Sequence, residues 1–495
     1  MKHLSTLDYA VVLGYLLVIA SLGSSFYRRK STAKEYFLGG RSMSWLPVGI
    51  SIIAADLSAI TVMGTPAWTF RHNLELSWSS FGYPLMAPVV ILVFVPFYSK
   101  LNLYTAYEYL ERRFNLPVRL LTSLLFLALR SVHVALVIYA PSLVIHLVTG
   151  LPDWQCILAM GLFTTVYTTL GGMKAVIWTD VIQFFTVTIG VSVIFYTALN
   201  SIDGGVAVAY KTALEAGRLK FLNFSTDPSE LTSLWACLFG GAVLCMAPLT
   251  TDQAILQRMF TTKSAQDCRQ SILLQSAIVI PVAFLLYSSG AALYAFYHFH
   301  PERLAGLVND DALLPMFAMR ELPAGVSGLI IAAIFAASMA VMSAGINSLT
   351  TASTVDFYQR VFRPAETPEH YAKFGRWGTV GWGALVTFLA LFAGRLGALA
   401  LAYNRVSSII SGPLLGIFLL ATLTRRTTAS GALAGAVTGM AAVWTVSSNT
   451  NWSFFWFGPV GVIATVAAGY AASLFMAPPP PEKIIGLVKG CEAAQ

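Results

Sequence analysis

Charge is what this chain has least of. Asp, Glu, Lys and Arg make up 11% of its 495 residues, against roughly 25% in soluble domains, while 56% of the residues are hydrophobic. No soluble fold has the interior to hide that much apolar surface, so a water-soluble enzyme or binding module is excluded. Cysteine is also scarce. Cys156, Cys237, Cys245, Cys268 and Cys491 show neither metal-ligand nor disulfide spacing and read as small buried apolar residues. A glycine-rich phosphate loop, an HExxH pair and a nucleophile elbow are all missing, which leaves an enzyme reading without a motif. The longest non-apolar stretches, near 199–231, 298–325 and 356–376, span only about 20–30 residues and hold no separate soluble domain.

What is present is apolar sequence in long runs. DYAVVLGYLLVIASLGSSFY, PLMAPVVILVFVPFY, AVIWTDVIQFFTVTIGVSVIFYTAL and SFFWFGPVGVIATVAAGYAASLF are each about long enough to cross a hydrocarbon core of ~30 Å. The first, beginning at Asp8, exceeds a secretory core of about 7–15 residues and has no cleavage site after it, so it reads as a retained span. A window of about 19 residues predicts about thirteen spans: near 8–27, 43–70, 78–98, 118–148, 155–170, 175–198, 232–257, 272–297, 326–355, 377–394, 399–424, 428–447 and 454–475. The expected product is an all-α polytopic membrane protein, with one transmembrane domain over 1–476. The tail APPPPEKIIGLVKG, within 477–495, reads as a short cytoplasmic end with a proline-rich breaker.

The formal charge of +8 invites a nucleic-acid reading, but its distribution favours a bilayer. Roughly two-thirds of the 31 Lys and Arg residues fall in alternate loops, a bias that puts those loops in the cytoplasm. They include Arg28, Arg29, Lys30, Arg41, Arg113, Arg119, Arg258, Arg360 and Lys483, whereas Lys2, Arg71, Lys220 and Arg395 fall on the other side and Arg130 and Arg405 inside spans. The N-terminus is then expected outside and the C-terminus in the cytoplasm, in a plasma (inner) membrane.

Two spans carry polar or helix-breaking residues. The second holds Asp56, Ser58 and Thr61 near its middle, and the seventh holds Gly240, Gly241 and Pro248. Broken helices five spans apart suggest two inverted five-helix repeats, over about 43–198 and 232–424, because unwound backbone at membrane depth lines a cavity or ion site. Glycine and proline are also common membrane-helix residues that only kink or pack them.

Asp56 is the sharpest signal, since a carboxylate at the bilayer centre costs ~2.5–3.5 kcal/mol on the mildest scale. It is either a cation ligand or proton acceptor, or half of a buried ion pair. Arg130 and His133 are three residues apart and share a helix face, which suits either attraction of an anionic solute or a structural partnership, for instance with Asp56. Asp180 falls near the end of the sixth span, facing an ion path or lying at the interface beside Lys174. Ser343, Asn347 and Ser348 are the polar candidates in the small-residue-rich ninth span.

YTAYEYLERRF, VIYAPSLVIHLVTG, YTTLGGMKAVIWTDVIQ, TDQAILQR and INSLTTAST resemble the sodium/solute symporter family. The resemblance is to the branch carrying iodide, vitamins and monocarboxylates, then to the sialic acid transporters, and runs from about Asp8 to beyond Gly412. It implies the LeuT-type fold of inverted five-helix repeats. It further implies a shared sodium site with carbonyls from Ala54, Leu57 and Ala337, although the family's hydroxyl pair is replaced here by Ala340 and Val341. Asp56 stands where proline-carrying members place a sodium-serving aspartate. Asp180 and Ser343 match a second sodium site of the sialic acid transporters, with Ala344 replacing another hydroxyl. Ser58, Thr61, Ser79, Tyr83 and His133 fall on the substrate positions, with Arg130 a substitute for the family's carboxylate-binding arginine.

The expected function is symport of a small organic solute, anionic or neutral, with Na+ as coupling ion by alternating access. Its partners are that solute and the lipid bilayer, with no nucleic acid. Proton-coupled or uncoupled transport on the same fold, and a membrane solute sensor or channel, stand as alternatives.

Overall fold

The computed structural model describes residues 4–27, 32–307, 310–393 and 399–491, and the side chains of 143, 147–149, 399–406 and 408 are outside that description. Of the basic residues weighed above, Lys2, Arg28, Arg29, Lys30 and Arg395 lie outside the described residues, as does the Arg405 side chain. Among the described residues the chain is helical, with one isolated parallel β-bridge between Met43 and Thr262.

The chain opens with α1 (Thr6–Ser25) and the short α2 (Ala33–Leu38), each started by a capping box, from Ser5 with Asp8 and from Thr32 with Glu35. Next come α3 (Trp45–Asp56) and α4 (Ala59–Arg71), bent 63° to each other. Helices α5 (Gly82–Val89) and α6 (Val95–Leu101) are joined by a π-helical turn, and α7 (Ala106–Arg113) leads into α8 (Leu116–Thr149). Helix α9 (Asp153–Asn200) merges the expected fifth and sixth spans and turns at Gly172, whose φ of 60° and ψ of −159° suit glycine. The second half comprises α10 (Gly205–Glu215), then α11 (Gly241–Thr251) and α12 (Gln253–Phe260), bent 56° to each other. After them come α13 (Ala265–Phe299), α14 (Leu313–Glu321), α15 (Val326–Ala352), α16 (Pro368–Ala393), α17 (Leu399–Leu423), α18 (Ala429–Asn449) and α19 (Phe457–Leu474). Among the described residues, nine helices are long and apolar enough to cross a membrane, or up to eleven if each bent pair is one span.

Burial orders these helices around α15. In the segment Val326–Phe362, 94% of the most apolar window is buried, against 22% in α1 and 33% in α18. α15 is therefore the core, and the outer helices turn Leu13 and Leu17, Trp377 and Phe388, and Val437 and Trp444 outward. Large apolar side chains facing out from long apolar helices are what a lipid solvent requires.

One expectation is corrected. Gly240, Gly241 and Pro248 do not break the seventh span: Gly240 (φ −68°, ψ −44°) and Gly241 (φ −58°, ψ −40°) are helical and Pro248 sits inside α11. The break falls at Asp252, while the glycines allow close packing, since a Cβ on Gly240 would lie 2.3 Å from the Phe455 carbonyl oxygen. The C-terminal segment packs against the helices. Leu487 and Val488 are buried, Tyr109 donates to the Leu487 carbonyl at 2.8 Å, and the Lys489 amide donates to the Thr422 carbonyl at 2.9 Å.

Several arginines counted as loop charges are interior braces. Arg113 is 1% exposed and donates to the carbonyls of Ala421, Thr424 and Thr427. Arg119 pairs with Asp356 and with Glu111, each at 2.7 Å. These groups satisfy buried and partly buried carbonyls and carboxylates.

Candidate functional site

Both broken helices restart on a side-chain cap. At the first break Leu57 leaves helical geometry (φ −87°, ψ 82°), and Ser58 begins α4 by accepting from the Thr61 amide at 3.3 Å. At the second, Asp252 (φ −85°, ψ 116°) begins α12, its Oδ1 accepting from the Ala254 amide at 2.7 Å. A polar N-cap satisfies an amide that a mid-membrane helix start would otherwise strand. Asp56 is the last residue of α3, so each break carries a carboxylate.

Asp56 faces two cavities. The first, about 400 Å³, runs along α4 toward its Arg71 end and is lined by Asp56, Thr61, Thr65, Ser79, Tyr83 and Gln275 under an apolar wall that includes Phe454 and Phe455. The second, about 190 Å³, extends toward α12 and is lined by Asp56, Arg130, His133, Asp252, Ser407 and Ser411. Tyr83 donates its hydroxyl to Asp56 Oδ2, and Asp56 is the residue common to both linings. Asp56 is an exposed residue that lines both cavities.

In the second cavity Arg130, only 7% exposed, has Nη1 3.2 Å from His133 Nδ1 and 3.3 Å from Asp252 Oδ2. The shared helix face thus becomes a direct contact, and the partner carboxylate is Asp252, not Asp56.

The other candidates separate. Thr61, Ser79 and Tyr83 line the first cavity, and Arg130 and His133 the second. Ser58 lines neither; it is 6% exposed and its hydroxyl is the α4 cap. Asp180 lies inside the protein, away from the interface beside Lys174. Its Oδ2 is 2.7 Å from Arg258 Nη2 and accepts from Ser51 Oγ at 2.5 Å, while Oδ1 is buried with no hydrogen-bond partner among the described residues.

Ala54, Leu57 and Ala337 are buried where α15 packs on α3 and α4, and Ala340 and Val341 are equally buried, at 1% and 0%. Ser343 donates to the carbonyl of Ala340 on its own helix, Ser348 to that of Gly345, and Asn347 accepts from Gln257. The last two are internal braces.

Asp252, Arg258 and Gln275 escaped the sequence reading. For Asp252 the signal was available, because it directly precedes QAILQR, where an aspartate caps a helix start. Arg258 was hidden among apparent loop charges.

Comparison with known proteins fits this geometry. The Sodium:solute symporter family matches residues 36–439. The chain is 32% identical over 475 residues to the sodium/sialic acid symporter NanT of Aliivibrio fischeri, covering 95% of this chain and 93% of that protein. It is 32% identical over 442 residues to human sodium-coupled monocarboxylate transporter 1, covering 88% and 72%. Among solved structures, a substrate-bound, outward-open Na+-coupled sialic acid symporter superposes with a TM-score of 0.90 at 28% identity, covering 96% and 99%. Mhp1, a nucleobase-cation-symport-1 family transporter, matches with a TM-score of 0.60 at 12% identity, covering 91% and 96%, a likeness of fold alone.

Proposed function

The chain belongs to the sodium:solute symporter family, and from that premise we propose that it is an integral membrane symporter coupling uptake of a small organic solute to a sodium gradient. The family is one of transporters, in keeping with the missing enzyme motifs. The observation that carries the reading is the placement of Asp56: a carboxylate at a helix break, facing two cavities that extend toward opposite ends of the broken helices. That is the arrangement alternating access needs, with one site reached from either side in turn.

In this reading Asp56 is the principal sodium ligand, with Ala54, Leu57 and Ala337 supplying carbonyls. Asp180 and Ser343 form a second candidate site that Arg258 partly occupies. Thr61, Ser79 and Tyr83 contact the solute in the first cavity, and Arg130 and His133 in the second. Ser58 acts through the helix cap. Arg130 makes a carboxylate the favoured solute group, since guanidinium and carboxylate geometries match; sialic acids and monocarboxylates are what the relatives' names give for those proteins. The repeats run over about 43–198 and 232–424, with the N-terminus outside and the docked tail in the cytoplasm of a plasma (inner) membrane.

Proton coupling is the second reading, favoured by Ala340 and Val341, which bring no hydroxyls to the interior of α15. Uptake of a labelled panel of small carboxylates and neutral solutes into proteoliposomes, driven in turn by sodium, lithium and proton gradients, tests both. Accumulation under sodium alone supports sodium symport. Accumulation under a proton gradient, with indifference to sodium, replaces it by the second reading.

A further inference from the structure

In the second cavity one arginine stands among carboxylates from both helix breaks. Asp56, Arg130 and Asp252 all line it. Nη1 of Arg130 is engaged by Asp252 and His133, while Nε and Nη2 are buried and bond to no described residue. In a weakly polarisable interior, a guanidinium with unused donors is drawn strongly to any carboxylate within reach. Asp252 is anchored, because its Oδ1 caps α12 and only Oδ2 faces Arg130. The Asp56 carboxylate is held by a neutral group, the Tyr83 hydroxyl.

We propose that Asp252 is a positioning residue that holds Arg130 away from Asp56 and so keeps the Asp56 carboxylate available to a cation. This rests on the reading of Asp56 as a cation ligand and extends it to the second broken helix. Were Arg130 to swing to Asp56, it would neutralise the site and compete with the ion. Cap and ion pair use different oxygens of one residue, so the geometry of the α11–α12 break and the position of Arg130 are tied. A movement of α12 that drew Asp252 off Arg130 would hand Arg130 to Asp56 and expel the cation, linking the second helix break to ion release.

Asparagine at 252 separates the two roles, since it caps a helix about as well as aspartate but carries no charge. The test is sodium titration of the purified full-length protein without solute, by calorimetry, for wild type, Asp252→Asn, Arg130→Gln and the double variant. Asp252→Asn is expected to weaken sodium binding about tenfold or more, and Arg130→Gln in the same chain to restore it to within about threefold of wild type, a coupling in the range measured for contacting charged residues. Arg130→Gln alone should bind sodium at least as tightly as wild type, which keeps the test open if Asp252→Asn fails to fold. Unaltered binding by Asp252→Asn, equal weakening in the single and double variants, or clearly weaker binding by Arg130→Gln alone overturns the inference while leaving the symport reading intact. A wild-type protein that binds no sodium overturns both.

Discussion

Asp180 and Arg258 meet at 2.7 Å with side chains 0% and 1% exposed, and Ser51 bridges them by donating to Asp180 and accepting from Arg258 Nε at 2.7 Å. This one cluster fastens α9, α12 and α3 together on the side of Asp56 away from the first cavity. Nearby, the Met43 amide donates to the Thr261 carbonyl and the Lys263 amide to the Met43 carbonyl, so the start of α3 and the end of α12 are also held by backbone. The first half of one broken helix, α3, and the second half of the other, α12, are thereby joined, while the larger of the two cavities lies along α4.

Breaking that pair from one side leaves an uncompensated buried charge. Arg258→Ala is expected to cost about 3–5 kcal/mol, and Asp180→Leu with Arg258→Met to cost less than Arg258→Ala alone. Thermal denaturation of the detergent-purified variants checks the order. If the double variant binds one sodium fewer than wild type, Asp180 is an ion ligand as well as a brace.

Close helix approach gives the second prediction. A Cβ on Gly82 would lie 2.5 Å from the Gly241 carbonyl oxygen and 2.7 Å from its carbon, backbone atoms that cannot rotate away. Gly82→Ala should therefore force α5 and α11 apart, at about 1–3 kcal/mol for overpacking. Gly381→Ala, with nothing within 4 Å of the added carbon, is the control and should melt within a few degrees of wild type.

The all-helical membrane character was legible because the length of an apolar run and its lack of charge report directly on lipid contact, although about thirteen spans were expected against nine, or up to eleven, among the described residues. Asp56 stood out because a lone carboxylate in such a run has few innocent explanations. The second break was misplaced for a physical reason. Gly240, Gly241 and Pro248 look like breakers, yet a membrane helix tolerates all three, and the chain breaks where a polar cap restarts it, at Asp252. Ser58 carries the same signal at the first break. The roles of Arg113, Arg119 and Arg258 were not legible at all, because a residue near a span end reads as a solvated loop charge until its carbonyl or carboxylate partners from distant helices are seen.

The docked tail yields a third prediction. Val488, 2% exposed, sits between Leu487, held by Tyr109, and Lys489, held by Thr422. Val488→Asp should destabilise the protein by about 2–4 kcal/mol through an unpaired charge in an apolar contact and release the tail. Limited proteolysis should then cut within 477–491 in the variant and leave it intact in wild type.

A pH effect follows from Glu111 on α7. Burial pushes its carboxyl up, but hydrogen bonds from Arg360 and Arg119 outweigh this and hold it below the ordinary glutamate value of 4.5. A depressed carboxyl contributes stability that is complete above its unfolded value and is lost as pH falls through the folded one. Wild type should therefore lose melting temperature faster than Glu111→Gln as pH drops from about 5 to below 4, and the two curves should run parallel above pH 6.

The most direct test of Asp56 as the cation ligand is sodium-gradient-driven solute uptake into proteoliposomes by wild type and Asp56→Asn at matched amounts of folded protein. Asparagine keeps an acceptor for Tyr83 and the size of the side chain, but removes the charge. Uptake by Asp56→Asn should fall to about one-hundredth of wild type or less, the effect of losing roughly 3 kcal/mol of ion binding, and calorimetry should show sodium affinity falling with it. Uptake by Asp56→Asn at the wild-type rate, with unchanged sodium dependence, would contradict the assignment.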